Sequence, residues 1–184
     1  MLRLMERDDD LALFARLSSE IYRKYETDEA DAWKDSCFEW IHTAPSARKG
    51  AVGKALVRRW AEEQGRQISR ALEKGHSFCV DGLRVAVKLS LVWSDGLFAF
   101  EQLRDEPYDV ACLLGLEPDR VHLWCVPKPV LLQNAPGQHT GAQARETRWI
   151  QFPAADPPGW LVPYGDTPAE ADDALEQARR ELRP

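Results

Sequence analysis

Residues 83–90 alternate between two kinds of side chain, and this period of two constrains the fold more than any other stretch. Leucine and valine take one phase, and arginine, alanine, lysine and serine take the other. Because successive side chains of a strand point to opposite faces, the pattern predicts a strand with one buried face. Lys88 lies two residues beyond Ala86, so these two side chains share the other face.

The sequence on either side predicts helices first, then a sheet, then a closing helix. Asp81 and Gly82 are a pair that favours tight turns, so they predict a hairpin between residues 76–81 and 83–93. The other predicted strands are residues 97–103, 110–116 and 121–126, with 148–152 as an edge strand. The predicted helices are residues 8–25, 28–42 and 51–74, and a last one that begins at a capping box at 167–170. Residues 134–147 are polar and glycine-rich, which predicts a loop.

This order of elements predicts an α/β fold, with a mixed β-sheet of about five strands flanked by helices. The length fits a single domain, 1–184. Within it we expect a helical N-terminal part at 1–45, a core at 46–153, and a proline-rich segment with the C-terminal helix at 154–184.

Composition excludes several classes of protein. No apolar run approaches the length of a membrane span, and the first residues lack the apolar stretch of a signal peptide. The four cysteines are scattered and form no CxxC pair, which favours free thiols over structural zinc or disulfides. We therefore expect a cytoplasmic protein without a membrane partner.

The charge is unevenly distributed along the chain. The formal net charge is −6, which argues against general coating of nucleic acid. Residues 46–75 nevertheless carry eight Lys or Arg against three Asp or Glu, whereas residues 1–45 carry six against eleven. A basic segment in an acidic chain can contact phosphate locally, although a solvated helix face would show the same composition.

An ordered set of motifs runs through the predicted hairpin and the strand after it. Asp81 is followed by Ala-Val-Lys at 86–88, by Phe-Glu-Gln-Leu-Arg at 100–104 and by Tyr-Asp at 108–109. In this order the set resembles the PD-(D/E)xK nuclease superfamily, which includes many restriction endonucleases and DNA-repair nucleases. The resemblance covers roughly residues 38–130 and implies a restriction-endonuclease-like fold.

The resemblance implies a role for each matching residue. Asp81 would be the metal-binding aspartate, and Lys88 would orient or deprotonate the attacking water and stabilise the developing charge. Gln102 would lie near the active site, as in some branches of the superfamily. Mg²⁺ would polarise the phosphate and lower the pKa of water. The implied activity is magnesium-dependent hydrolysis of DNA by an endonuclease of the restriction or defence type.

Ala86 departs from this pattern, because the superfamily places Glu or Asp at that position. Alanine cannot bind a metal, so we expect weak Mg²⁺ binding at Asp81 and little or no cleavage. Either the alanine is natural, giving a pseudonuclease that acts as a DNA-binding or protein-interaction module, or it is an introduced substitution that inactivates an endonuclease. Glu39 or Glu101 would be the replacement acids, although Glu101 should point opposite Gln102 on its strand.

The basic segment supplies the expected contacts to nucleic acid. The candidate phosphate-binding residues are Arg48, Lys49, Lys54, Arg58 and Arg59. Lys54 stands where relatives often carry a glutamate. The expected partner is DNA, and a homodimer is a candidate assembly, because many such endonucleases cut two strands by pairing two copies.

Overall fold

The computed structural model describes residues 16–18, 32–71, 74–140 and 146–182. Apart from residues 16–18, which are helical, the predicted helix at 8–25 and the start of the one at 28–42 lie outside the described residues. The helices are α1 (Glu39–His42), α2 (Ser46–Glu63), α3 (Lys128–Asn134) and α4 (Pro168–Leu182), with a 3-10 turn at Val162–Tyr164. The strands are β1 (Ile68–Arg70), β2 (Phe78–Val80), β3 (Leu83–Leu91), β4 (Leu97–Leu103), β5 (Val110–Leu116), β6 (Val121–Pro127), β7 (Gly137–Thr140), β8 (Glu146–Pro153) and β9 (Gly165–Asp166).

Helix α2 ends well before the end of the helix predicted at 51–74. Gly65 adopts a φ of 76°, and its N–H donates to the carbonyl of Glu62 at 3.0 Å. The next N–H, that of Arg66, donates to the carbonyl of Ala61 at 3.0 Å. This hydrogen-bonding pattern with a left-handed glycine is a common helix C-terminus. The prediction of one long helix was therefore wrong, and part of its second half forms strand β1.

The main sheet has six strands in the order β1-β2-β3-β5-β6-β9. Strands β3 and β5 are parallel, and the other neighbours are antiparallel. The predicted hairpin is confirmed, with Asp81 and Gly82 at φ values of 47° and 86° between β2 and β3. Two successive left-handed residues suit the tightest hairpin turns, whose twist matches that of the strands.

Both faces of the main sheet are covered. On one face, helices α2 and α4 pack against Val85, Val87 and the neighbouring strands. On the other, β4, β8 and α3 pack against residues that include Leu113 and Trp124. Strand β5 is buried along its whole length, as its uninterrupted apolar sequence predicts. The prediction of a mixed sheet flanked by helices is thus confirmed.

A second sheet of three strands, in the order β4-β8-β7, was not predicted. Strand β8 lies in its centre, so the prediction of an edge strand at 148–152 was wrong. Residues 137–140 form β7, where the sequence predicted a loop. Strand β4 pairs with β8 and not with the main sheet. The second sheet packs face to face against the main sheet, and the hydrophobic core between them contains Leu113 and Trp124.

The C-terminal helix begins as the capping box predicts. The N–H of Thr167 donates to the Glu170 carboxylate at 3.0 Å, and the N–H of Glu170 donates to the Thr167 hydroxyl at 3.3 Å. Leu175 and three alanines of α4 are buried against the main sheet. Among the described residues, every helix is too short or too polar to cross a membrane.

Candidate functional site

Lys88 lies in the second half of β3, on the face of the main sheet opposite the helices. Val85 and Val87 are buried on the helical side, and Ala86 packs against the core on the other side. Lys88 Nζ donates a hydrogen bond to the carbonyl oxygen of Gln102 at 2.6 Å. The structure therefore brings Lys88 and Gln102 together, and Ala86 lies on the same face of β3.

Gln102 lies at an irregularity of β4. The pairing of β4 with β8 shifts register between Phe100 and Leu103, and Gln102 has a φ of 53°. A left-handed residue other than glycine is uncommon and costs on the order of 1–3 kcal/mol. The irregularity breaks the alternation of β4, so Glu101 and Gln102 line the same groove. The expectation that Glu101 would point away from Gln102 was wrong, because sequence periodicity does not reveal a bulge.

An open groove of about 610 Å³ lies between α2, β3 and β4. Helix α2 approaches β3 closely, since a Cβ added to Gly53 would lie 2.7 Å from the Cβ of Leu89. We call this surface the lysine groove, and its charged lining consists of Lys49, Lys54, Lys88 and Glu101. Three cations and one anion on a concave surface favour an anionic ligand.

One side of the lysine groove is the edge of β3 that continues past its pairing with β2. The pairing of β2 with β3 spans residues 83–85. Next to it, the N–H of Ser77 donates to the carbonyl of Val85 at 2.7 Å, and the N–H of Val87 donates to the Ser77 hydroxyl at 3.2 Å. Backbone groups of odd-numbered residues of β3 therefore point to this edge, and those of Leu89 face the groove. A backbone N–H in this position is a hydrogen-bond donor for an anion.

The surroundings of Lys88 lower the pKa of its side-chain amine. Burial is the largest effect and lowers the pKa of Lys88 below its ordinary value of 10.5. Glu106 opposes this change, whereas the positive charges of Arg104 and Lys54 add to it. A bound phosphate would favour the charged form, because an adjacent negative charge raises the pKa of an amine.

Asp81 lies beyond the N-terminal end of β3 and contacts neither Lys88 nor the groove lining. One carboxylate oxygen accepts from the N–H of Gln67 at 2.8 Å, and the other pairs with the Arg66 guanidinium at 3.3 Å. At about 3.3 Å per residue, Lys88 is about 16 Å along the strand from Leu83, the first residue after the turn. The structure thus separates Asp81 from the lysine it was expected to accompany.

Arg66 joins Asp81 to the C-terminal helix. Its guanidinium pairs with Asp172 and Glu176 of α4, at 2.8 Å in each case. The side chain of Arg66 is only 13% exposed, so the three carboxylates compensate a charge that is largely withdrawn from water. Asp81 therefore links the hairpin turn to α4 through Arg66.

Ser77, which was not predicted as a site residue, lies across from β3 close to Ala86. Its N–H donates to the carbonyl of Val85 and its hydroxyl accepts from the N–H of Val87, so Ser77 contacts both chain neighbours of Ala86. A second metal ligand next to position 86 would come from this cross-strand position, and neither residue carries a carboxylate. The sequence could show that Ser77 lies near Ala86 only if the pairing of β2 with β3 were known.

The donors around Lys88 do not fit a magnesium site. Mg²⁺ is usually held by one or two carboxylates together with water. Glu101 is the acid that lines the groove, and it shares that lining with three lysines. Among the described residues, no cluster of three or more His, Cys, Asp or Glu side chains is placed to hold a metal ion. Weak Mg²⁺ binding accordingly stays a prediction.

The candidate phosphate contacts of α2 divide into three groups. Lys49 and Lys54 line the lysine groove. Arg58 lines a neighbouring cavity together with Lys54 and pairs with Glu62 at 3.0 Å. The remaining two, Arg48 and Arg59, are exposed on α2 and line neither cavity.

Comparison with known proteins gives a likeness of fold. No protein-family model matches the chain, and no curated protein sequence matches it. Among solved structures, the chain is similar to a bacterial homing endonuclease, I-Ssp6803I, with a TM-score of 0.51 and 16% sequence identity. The similarity covers 77% of this chain and 100% of the other. The chain therefore shares its overall fold with that endonuclease.

Proposed function

We propose that this chain binds DNA through the lysine groove and is a PD-(D/E)xK protein that cleaves DNA slightly or not at all. The observation that carries the proposal is the convergence of Lys49, Lys54 and Lys88 on one concave surface. The likeness to I-Ssp6803I supports it, because that protein is an endonuclease and endonucleases act on nucleic acids.

The groove suits binding better than hydrolysis. Lysine ammonium groups bind phosphate oxygens as compact charges, and Lys88 is held in place by its hydrogen bond to Gln102. Hydrolysis assisted by Mg²⁺ would need carboxylates near the phosphate, and positions 77 and 86 hold serine and alanine. With acids there, Lys88 would be placed to stabilise the developing charge. A restriction or defence role, action as a homodimer and a cytoplasmic location complete the proposal.

DNA binding is tested with matched lysine variants. Lys88→Met and Lys54→Met should each weaken binding to a labelled oligonucleotide, measured by fluorescence anisotropy at several salt concentrations. The control is Lys74→Met, since Lys74 is exposed and lies outside the groove. Equal affinities for all four proteins would refute the groove as the binding surface. If the unmodified chain showed no salt-sensitive binding, the alternative of a protein-interaction module would be favoured.

Cleavage is tested by placing acids at the neighbouring positions 77 and 86. We compare the unmodified chain, Ala86→Glu, and the double variant Ser77→Asp/Ala86→Glu, with plasmid and oligonucleotide DNA and Mg²⁺. The double variant should cut best, because it alone provides carboxylates at both positions 77 and 86. Adding Lys88→Ala to the double variant should abolish cutting. Failure of both restored proteins to cut any DNA would contradict the nuclease origin of the site, while leaving the binding result to stand separately.

A further inference from the structure

We propose that Trp93 stacks on an unpaired base at the mouth of the lysine groove, so that the preferred ligand is single-stranded DNA. This inference rests on the proposed function and names the form of DNA that the site takes. Trp93 lies two residues after the end of β3 and lines the groove together with the lysines. The indole is 45% exposed.

The exposure of Trp93 distinguishes it from most tryptophans of the chain. Trp33 and Trp124 are almost fully buried, and Trp60 is half-buried. An indole offers a large apolar face, and leaving it in water forgoes the free energy that burial would provide. Trp40 is also exposed, at 58%, but it does not line the groove. Trp93 therefore combines an accessible aromatic face with a cationic surface.

The backbone holds Trp93 at this place. Its N–H donates to the carbonyl of Leu97 at 2.9 Å, and its own carbonyl accepts from the N–H of Gly96 at 2.9 Å. These bonds close the turn between β3 and β4, so the position of residue 93 is tied to both strands that form the groove. An aromatic residue on a fixed turn loses little conformational entropy when a base stacks on it.

The arrangement matches the way proteins bind single strands. Such sites combine a positively charged groove for the backbone with aromatic side chains for the bases. Here Lys54 and Lys88 would contact phosphates, and Leu89 of β3 lines the groove beside them. The groove volume of about 610 Å³ is that of a cleft for a small ligand, which suits one strand and not a duplex. In a duplex the faces of the bases are covered by stacking and are closed to Trp93.

The test compares a single-stranded oligonucleotide with its duplex, using anisotropy on four proteins. These are the unmodified chain, Trp93→Ala, Trp93→Phe and the control Trp40→Ala. Trp93→Ala should lower the affinity for the single strand roughly 5- to 100-fold, which corresponds to the loss of one stacked base. Affinity for the duplex should change little, Trp93→Phe should keep most of the single-strand affinity, and Trp40→Ala should behave as the unmodified chain.

A second readout uses the indole itself. Single-stranded DNA should quench the tryptophan fluorescence of the unmodified chain, and Trp93→Phe should remove that quenching even where it still binds. Equal single-strand affinity of Trp93→Ala and the unmodified chain would overturn the inference, as would quenching that survives in Trp93→Phe. In those cases a continuing loss of binding in Lys88→Met would leave the proposed function intact. Absence of DNA binding by the unmodified chain would overturn both proposals.

Discussion

Lys88 is half-buried beside charges of its own sign, and this has a consequence for how binding depends on pH. Phosphate binding needs the protonated amine, and the pKa of Lys88 lies below the ordinary 10.5 because of burial and the nearby Arg104 and Lys54. Affinity for DNA should therefore fall as the pH rises through this lowered pKa, earlier than an exposed lysine would require. Lys88→Arg should bind with a flatter alkaline profile, since arginine stays charged. Anisotropy titrations between about pH 7 and 10 measure the difference, and coinciding profiles would contradict it.

Asp81 should matter for stability and not for binding. Asp81→Asn keeps an acceptor for the N–H of Gln67 and suits the left-handed turn, but it loses the charge that faces Arg66. Asp81→Ala loses both contacts and should lower the free energy of unfolding by about 1–2 kcal/mol, with a smaller loss for the asparagine variant. Urea denaturation measures this. A loss of DNA affinity in Asp81→Asn without a loss of stability would instead return Asp81 to the functional site.

The residues of the site were predictable to the extent that they follow strand alternation. Lys88 was placed correctly on its face of β3, because the alternation there is unbroken. Glu101 was misplaced because a bulge reset the alternation. Ser77 was missed because its relation to position 86 depends on hairpin register. Asp81 was assigned from the order of a motif, although the predicted strand at 83–93 already implied a large distance between the turn and Lys88.

At the scale of elements, the approach of α2 to β3 depends on a glycine. Gly53→Ala would place a methyl group 2.7 Å from the Cβ of Leu89, so helix or strand must move. We expect a loss of about 1–3 kcal/mol in the free energy of unfolding. Gly50→Ala is the matched control in the same helix, since its new Cβ would have no neighbour within 4 Å.

The control should gain up to about 1 kcal/mol, because alanine favours the helix. Thermal and urea denaturation of both variants measure the difference. Two variants of equal stability would show that the close approach of α2 to β3 is not tight in solution. Because Lys49 and Lys54 are carried by the same helix, Gly53→Ala should also weaken DNA binding, and Gly50→Ala should weaken it less.

The elements themselves were largely predictable where one signal dominated. The hairpin at Asp81 and Gly82, the apolar strand β5 and the capped helix α4 all follow from local sequence. The end of α2 was missed because Gly65 lies inside an otherwise helical pattern, and it ends the helix only through the hydrogen bonds that it and Arg66 make. Strand β7 was missed because polar, glycine-rich sequence does not distinguish a loop from a strand stabilised by its partner β8.

For the whole molecule, an acidic chain with a local basic groove should bind DNA by few contacts. The net charge of −6 repels DNA elsewhere on the surface, so contacts should be confined to about three lysines. The slope of log K against log salt should then be about −2 for a single strand, and Lys88→Met should make it shallower by about 0.7. A much steeper slope would show that a larger surface, or a second copy of the chain, takes part.

The order of the strands determines when the groove can form during synthesis. Strand β3 takes its parallel partner from β5, and β4, which forms the opposite wall, takes its partner from β8. A nascent chain that has left the ribosome only as far as residue 109 would hold both walls without either partner. Non-local pairing of this kind slows folding, because a long loop must close before the contacts form. Until β5 and β8 have been synthesised, the lysines of the groove would therefore lie on a basic segment that is not yet assembled.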